Sequence, residues 1–340
     1  MLNIYTPTDQ EEYWLSQTDF DDYATTRSME EWMYLPNRVA MLEVREFGET
    51  THQLLGELVG LANHVIVIIH ELINDAWITK FDRPSVTFFV SGILNYKTKH
   101  AAIYFYPYFL TSTVAFYRAH PEILAQLTKT LPTLRYDVLL GRRKAHRDQV
   151  YAAFDQQFNV VKYFPSAADQ DIRHYTNQQF EWPSVLSLPD TPITMTAQEV
   201  RASGTIVSLS QIIPVDIYNR TCYSFIAETD VCNQYSFFTE KIVKPMLARR
   251  LFVVAAGQYY LRNLRSLGFR TFDGIVDETY DLIEEVDTRI KSACCAANSL
   301  THVDKELLAE ITEHNYQHLM STNWNSRMVQ QLQKILDEIQ

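Results

Sequence analysis

The chain has 340 residues, of which 46% are apolar and 21% charged, and its formal net charge is −11. This composition excludes a disordered chain and is typical of a soluble globular protein, and the length favours two domains of ordinary size. The acidic balance excludes a general affinity for polyanions, so any contact with nucleic acid would need a local basic patch.

Apolar periodicity divides the chain into alternating strands and helices. In chain order it predicts a helix over 51–63, strands over 65–69 and 86–90, a helix over 120–132, a strand over 135–141, a helix over 142–158, strands over 159–164 and 251–257, and helices over 259–269, 278–297, 303–321 and 325–340. Alternation of strands with long helices predicts an α/β protein with parallel sheets.

The pattern restarts after Leu131 and Pro132, which places a domain boundary there. We therefore expect one domain over 1–132, a second over 133–300, and C-terminal helices over 301–340 that pack back across the domains or meet a partner. Two open α/β domains facing each other form a cleft between the carboxyl ends of their strands, where ligands normally bind.

Cysteine usage and the first residues indicate a cytoplasmic protein. The four cysteines, of which Cys294 and Cys295 are adjacent, show no CxxC zinc spacing, and adjacent cysteines rarely bridge each other. The opening MLNIYTPTDQEEYW lacks the basic end and apolar core of a signal peptide. The longest apolar stretch, LANHVIVII, is too short to span a membrane.

The first candidate anion site is DVLLGRRKAHRD (137–148), where Arg142, Arg143, Lys144 and Arg147 crowd the start of a helix. Basic residues have the wrong sign for a helix N-terminus and destabilise it slightly unless an anion is bound there. The alternative is a solvated surface turn.

The second candidate is YSFFTEKIVKPMLARRLFVV (235–254). Thr239 is a predicted helix cap followed by Glu240, whereas Lys241 is unfavourable unless a phosphate lies at the helix start. Pro245 either kinks the helix or marks its first position. A charged, exposed helix face before a core strand is the alternative.

A third segment, SLGFRTFDGIVDETYD (266–281), carries several carboxylates around a glycine turn. Asp273, Asp277, Glu278 and Asp281 have the residue types of metal ligands. Helix capping by Asp277 explains the pattern equally well, and we favour this structural role.

The run AETDVCNQYSFFTEKIVKPMLARRLFVVAAG resembles the sugar-nucleotide-binding signature of the α-1,3-fucosyltransferase family. Together with LRSLGFRTFDGIVDETYD it is even more similar to a phage- and virus-associated group of glycosyltransferases. The resemblance covers about residues 134–290. It implies a GT-B fold, in which two Rossmann-like domains with parallel sheets face each other across a cleft and the second domain holds the donor.

The resemblance also implies roles for individual residues. Lys241 would contact the diphosphate of a UDP- or GDP-sugar, and Glu240 the ribose or sugar hydroxyls. The other residues implied to bind the donor are Thr239, Lys244, the clamp residues Arg142 and Arg147, and the pocket residues Tyr235 and either Phe237 or Phe238. No metal and no tightly bound cofactor would be needed, because Lys and Arg can neutralise a leaving diphosphate. Pro245 and the pair Arg249–Arg250 depart from the fucosyltransferase pattern, so fucose is not implied.

An inverting transfer needs a base, and the acceptor-side domain, 1–132, is expected to supply it. The candidates are His70, Glu71 and Asp75 after the strand 65–69, and Asp82 before the next strand. A glycan or small hydroxylated molecule is the favoured acceptor. The alternatives are a hydroxymethylated base in viral DNA, with Lys97, Lys99, Arg262, Arg265 and Arg270 on the backbone, and a non-catalytic interaction protein of the same fold.

Overall fold

The structure is a computed structural model that describes residues 1–44, 48–71, 75–127, 132–141, 143–163, 193–195, 199–202 and 205–340. It confirms the predicted α/β class, because its two largest sheets have six and four strands, all paired in parallel. The chain forms two compact units, a first unit of Met1–Tyr108 with Asn323–Gln340 and a second unit of Phe109–Thr322.

The strands of the described chain are β1 (Leu2–Tyr5), β2 (Tyr23–Thr26), β3 (Arg38–Val44), β4 (His64–Ile69), β5 (Val86–Val90), β6 (Gly92–Leu94), β7 (Ala102–Phe105), β8 (Leu134–Leu140), β9 (Val160–Tyr163), β10 (Ile193–Met195), β11 (Glu199–Ala202), β12 (Thr205–Ser208), β13 (Thr221–Ala227), β14 (Tyr235–Phe237) and β15 (Phe252–Ala255). The helices are α1 (Asp9–Ser16), α2 (Met29–Trp32), α3 (Glu49–Leu61), α4 (Asp75–Lys80), α5 (Tyr108–Ala119), α6 (Pro121–Ala125), α7 (Ala145–Ala153), α8 (Val215–Arg220), α9 (Glu240–Leu247), α10 (Tyr260–Ser266), α11 (Val286–Ser299), α12 (Lys305–Ser321) and α13 (Trp324–Ile339). Within the described ranges, no helix has both the length and the apolar character needed to cross a bilayer.

The sheet of the first unit has the strand order β2-β1-β3-β4-β5-β7. Its strands β4 and β5 coincide with the predicted runs 65–69 and 86–90. Both are buried along almost their whole length, which explains why their sequences are apolar without alternation. The strand order reverses between β1 and β3, and the carboxyl ends of such strands flank the crevice where open α/β sheets bind ligands.

The last helix, α13, packs on this sheet. Met328, Leu332, Ile335 and Leu336 recur at helical spacing and enter the core of the first unit. The preceding helix α12 belongs to the second unit. The predicted C-terminal segment 301–340 is thus divided between the units, because each of its two helices buries its apolar face in a different core.

The sheet of the second unit has the order β15-β13-β8-β9. The predicted strands over 135–141, 159–164 and 251–257 are confirmed as β8, β9 and β15. The register places Phe225 of β13 beside Val138 on one side and Val253 on the other. The order reverses between β8 and β13, so a second crevice is expected at the carboxyl ends of these two strands.

The boundary between the units differs from the predicted one near 132. Apart from Tyr108, the residues of α5 and α6 lie in the second unit, where the hydroxyl of Tyr117 accepts a hydrogen bond of 2.6 Å from the backbone N–H of Ile213. The side-chain amide of Gln211 donates to Thr113 at 2.9 Å. A restart of the strand–helix pattern shows where a sheet begins, but it does not show which core a preceding helix joins.

The helix predicted over 278–297 begins later than expected. Residues Thr279–Leu282 form a 3₁₀ turn, and α11 starts only at Val286. Glu285 caps α11, because its carboxylate accepts hydrogen bonds from the backbone N–H groups of Asp287 and Thr288. The apolar periodicity of the sequence continues through Glu285, so it did not indicate that a 3₁₀ turn precedes the start of α11.

Candidate functional site

The candidate site lies at the carboxyl edge of the second unit's sheet, at the reversal between β8 and β13. β8 ends at Leu140 and β13 at Ala227. Because these strands are parallel neighbours, the residues that follow them, Gly141 and Glu228, meet at one edge. The helices α7 and α9 begin at the same edge and bring the predicted basic residues to it.

Glu228 is the centre of this edge and is fully buried. Its carboxylate accepts hydrogen bonds from the hydroxyls of Thr239 at 2.8 Å and Tyr260 at 2.9 Å, and from the backbone N–H of Thr229 at 3.1 Å. Burial raises the pKa of the Glu228 carboxyl, and the ammonium of Lys241 opposes that shift. Glu228 thus fixes the start of α9 against the end of β13.

The predicted cap of α9 is confirmed, since the hydroxyl of Thr239 accepts a hydrogen bond from the backbone N–H of Lys241. The Nζ of Lys241 lies 2.9 Å from Oε1 of Glu240, 3.1 Å from the hydroxyl of Thr229 and 3.3 Å from that of Thr239. Burial by itself would raise the pKa of Glu240, but the ammonium groups of Lys241 and Lys244 hold it below its ordinary value. The side chain of Lys241 is 18% exposed, and its ammonium therefore lies at the first turn of α9.

The basic residues after β8 reach the same place. Arg147 and His146 donate to the backbone carbonyl of Glu228 at 3.3 Å and 3.0 Å, and Lys144 donates to the carbonyl of Thr229 at 2.7 Å. Burial lowers the pKa of His146 to about 4, which keeps this imidazole neutral near pH 7. Gly141 permits the close approach, because a Cβ at this position would stand 2.9 Å from a guanidinium nitrogen of Arg147.

Lys244 contributes a buried cation below the surface of the site. Its Nζ donates to the carbonyl of Ser210 at 2.6 Å. Burial lowers the pKa of Lys244 to about 8, although the carboxylate of Glu240 opposes the shift. Pro245 lies inside α9 and does not mark its first position. The alternative interpretation, a charged and exposed helix face, is wrong, because Glu240 and Lys244 of α9 are buried.

The aromatic residues expected to line a nucleotide pocket are core residues here. Tyr235 is 2% and Phe238 1% exposed. The ring of Phe238 lies 4.9 Å from that of Tyr260, and the ring of Tyr235 lies 6.0 Å from that of Phe237. Tyr235 lies on the short strand β14 and Phe238 directly precedes the cap of α9, and both side chains are buried in the core. Arg142 lies outside the described residues.

Two of the carboxylates of 266–281, Glu278 and Asp281, have structural roles. Glu278 accepts hydrogen bonds from the backbone N–H of Phe272 at 2.7 Å and the hydroxyl of Thr271 at 2.7 Å. Asp281 accepts from the N–H groups of Leu261 and Arg262 at the start of α10. Across the described ranges, His, Cys, Asp and Glu side chains do not come together in threes as metal ligands would.

The structure describes the side chains of three of the four base candidates of the first unit, namely His70, Glu71 and Asp82. His70 is 5% exposed and its imidazole is paired with the carboxylate of Glu43 at the carboxyl edge of the sheet. Glu71 follows it and is half-buried. Asp75 begins α4, and its side chain lies outside the described part of the molecule.

Asp82 lies at the opposite edge of that sheet, since it precedes β5. Its carboxylate accepts backbone hydrogen bonds from Lys99 at 2.8 Å, His100 at 2.7 Å and Ala101 at 2.6 Å. The bond from Ala101 is the main cause that lowers the pKa of Asp82. These contacts give Asp82 the role of fixing a turn, and its position opposes the predicted catalytic role.

Two residues central to these sites, Glu228 and Glu43, are missing from the sequence-based predictions. Each lies at or directly after the carboxyl end of a parallel strand. The rule that selected His70, namely a polar side chain where a buried strand ends, would have selected both.

A scan against protein-family models gives no match, and a search of curated proteins finds no significant relative.

Proposed function

We propose that the protein is a glycosyltransferase that moves a sugar from a nucleoside-diphosphate sugar to a hydroxyl acceptor, with the donor diphosphate held at the carboxyl edge of the second unit. One observation carries the proposal. Lys241 and Arg147, predicted from separate segments, contact the adjacent residues Thr229 and Glu228. The resemblance to glycosyltransferases points to the same residues.

The chemistry requires positive charge where the leaving group departs. The bond between the anomeric carbon and the diphosphate oxygen breaks, and the diphosphate leaves with the electron pair. Lys241, Arg147 and Lys244 supply fixed cations in a partly buried setting, where each stabilises developing negative charge more strongly than in water. The carboxylate of Glu240, next to the Lys241 ammonium, is suited to accept hydrogen bonds from ribose or sugar hydroxyls.

A carbohydrate or small hydroxylated acceptor fits better than DNA. Arg265 is paired with Glu278 at 2.9 Å and Arg270 with Glu310 at 2.6 Å, and the guanidinium of Arg262 lies 3.8 Å from the ring centroid of Tyr259. Arginines already paired with carboxylates add little attraction for a phosphate backbone.

A thermal-shift screen against UDP, GDP, ADP, TDP and CMP tests the proposal. A ligand that binds only the folded state raises the melting temperature by mass action. We expect one nucleoside diphosphate to do so at low concentration and CMP, which lacks a diphosphate, to do so weakly. The matching sugar donor should then be hydrolysed slowly, with release of the nucleoside diphosphate. The proposal is wrong if no nucleotide shifts the melting temperature and no donor is turned over.

Nucleotide binding is expected to weaken as the pH rises through about 8. Since burial lowers the pKa of Lys244 to about 8, its ammonium loses its proton there, while the diphosphate keeps its charge. The dissociation constant of the bound nucleotide, measured by calorimetry, should rise about three- to tenfold between pH 7 and pH 9.

The variant Lys244→Met serves as the control for this pH dependence. It should bind more weakly than the wild type at pH 7 and show a flat profile up to pH 9. An equally steep rise of the dissociation constant in both proteins would assign the titration to another group.

A further inference from the structure

A cavity opens at the amino edge of the second unit's sheet, the edge opposite to the candidate site. β8 starts at Leu134 and β9 at Val160, and the cavity lies beside these two starts. Its volume of about 380 Å³ is typical of pockets that bind small molecules. Among the residues that line it are Arg135, Asp155, Phe158, Asn159 and Asn298.

Arg135 gives the cavity a positive side. Its Nη1 donates to the backbone carbonyl of Asn298 at 2.9 Å, and its guanidinium carbon lies 5.6 Å from the ring centroid of Tyr136. Its Nη2 is buried and has no hydrogen-bond partner among the described residues. Leaving a buried charged donor unpaired destabilises a fold. The guanidinium is therefore held in place while part of its hydrogen-bonding capacity is unused.

The same cavity has a negative side. Asp155 is exposed, and its Oδ1 accepts a hydrogen bond of 2.8 Å from the backbone N–H of Gln157. Ala153 and Asn298 also line the cavity, and they lie in the last turns of α7 and α11. The carboxyl end of a helix carries partial negative charge and favours a cation.

The two charged side chains of the cavity are not paired. Within the described ranges, neither Arg135 nor Asp155 forms an ion pair, with the other or with any third side chain. A simple anion would be attracted by Arg135 and repelled by Asp155, and a simple cation would meet the reverse. A molecule that carries both a carboxylate and an ammonium is attracted by both side chains.

Phe158 adds an apolar wall, because its side chain is 56% exposed. Its backbone carbonyl accepts a hydrogen bond of 2.8 Å from the N–H of Arg135. The buried Asn159 joins the two charged residues: its Oδ1 accepts from the N–H of Tyr136 at 3.1 Å, and its amide donates to the carbonyl of Asp155 at 2.8 Å. These bonds fix the apolar wall and both charges relative to one another.

We propose that this cavity binds a free α-amino acid with an apolar side chain. The carboxylate of the ligand accepts charge-assisted hydrogen bonds from Arg135, and its ammonium lies beside Asp155 and the carboxyl ends of α7 and α11. Its side chain covers the ring of Phe158. The length of β8 separates this site from the donor edge by about 20 Å. The inference goes beyond the proposed function and does not depend on it.

Three ligands with the same phenyl ring test the two charges separately. L-Phenylalanine carries both charges, 3-phenylpropanoate only the carboxylate, and 2-phenylethylamine only the ammonium. Calorimetry with the whole chain at pH 7 should show that L-phenylalanine binds at least about tenfold more tightly than either analogue, which is the effect of one charge-assisted hydrogen bond. The inference is wrong if either analogue binds as tightly as L-phenylalanine, or if neither L-phenylalanine nor L-leucine binds.

Variants assign each charge of the ligand to a side chain. Arg135→Met should abolish the advantage of L-phenylalanine over 2-phenylethylamine, and Asp155→Asn its advantage over 3-phenylpropanoate. The control is Lys291→Met, an exposed position on α11 that does not line the cavity, and it should bind as the wild type does. L-Phenylalanine binding that survives both substitutions unchanged would place its site elsewhere and overturn the inference.

Two further measurements keep these results interpretable. Ligand-free melting temperatures show whether each variant is folded, and the exposed Asp155→Asn decides the question if Arg135→Met is not. The thermal shift caused by a nucleoside diphosphate should be the same in both variants as in the wild type. Failure of amino-acid binding therefore leaves the proposed function standing.

Discussion

Replacing Lys241 by methionine is expected to lower the rate of donor turnover about 10²- to 10³-fold, the usual effect of removing one group that stabilises a developing charge. The methionine keeps the apolar stem of the lysine and removes only the ammonium that contacts Glu240, Thr229 and Thr239. The thermal shift caused by UDP or GDP should be lost as well. Turnover is measured as release of the nucleoside diphosphate, and binding as the change in melting temperature.

The matched control is Lys291→Met, because Lys291 is an exposed lysine on α11 of the same unit. This variant should bind and turn over the donor as the wild type does. The ligand-free melting temperatures should show that Lys241→Met is folded, since the side chain is partly exposed and its loss costs about 1–2 kcal/mol. Turnover in Lys241→Met within threefold of the wild type would place the diphosphate elsewhere.

Replacing Arg250 by methionine is expected to lower the free energy of unfolding by about 3–5 kcal/mol, because the buried carboxylate of Asp137 loses its counter-charge. The guanidinium of Arg250 is 2.9 Å from Oδ1 of Asp137 and also donates to backbone carbonyls of Tyr218, Thr221 and Tyr223. Asp137 is 3% exposed. Urea denaturation monitored by circular dichroism measures the loss.

The neighbouring Arg249 provides the control for this stability prediction. Its side chain is 42% exposed and pairs with Glu313 at the surface, so Arg249→Met should cost about 1 kcal/mol or less. Equal losses in the two variants would contradict the buried-pair argument.

The stability deficit of Arg250→Met should also shrink as the pH falls. Burial already raises the pKa of Asp137, and Arg250 opposes the shift. Without the guanidinium, the folded state holds the Asp137 proton more tightly than the unfolded state does, so stability is lost as the pH rises. Urea denaturation at pH 5 and at pH 8 measures the free energy of unfolding of both proteins. The difference between the wild type and Arg250→Met should be larger at pH 8.

The amino-acid sequence by itself determined the fold class and many of the residues that lie at the candidate site of the second unit. Continuous apolar runs predicted β4, β5 and β15, because a strand buried on both faces needs no polar residue, and the segment that ends at Gly141 predicted β8. Helical spacing predicted α3, α7, α12 and α13 in the same way. Basic residues at predicted helix starts, where the dipole disfavours them, identified Lys241 and Arg147 before their contacts were known.

Only the tertiary structure decided which of these charges lie at the candidate site. Lys241, Arg249 and Arg250 are close in sequence, yet the first contacts Thr229, the second a surface glutamate and the third the buried Asp137. Periodicity records which face of a segment is buried, and it cannot record which distant residue lies against that face. The same reason hid Glu228, Glu43 and the membership of α5, since each depends on how parallel strands bring distant chain segments to one edge.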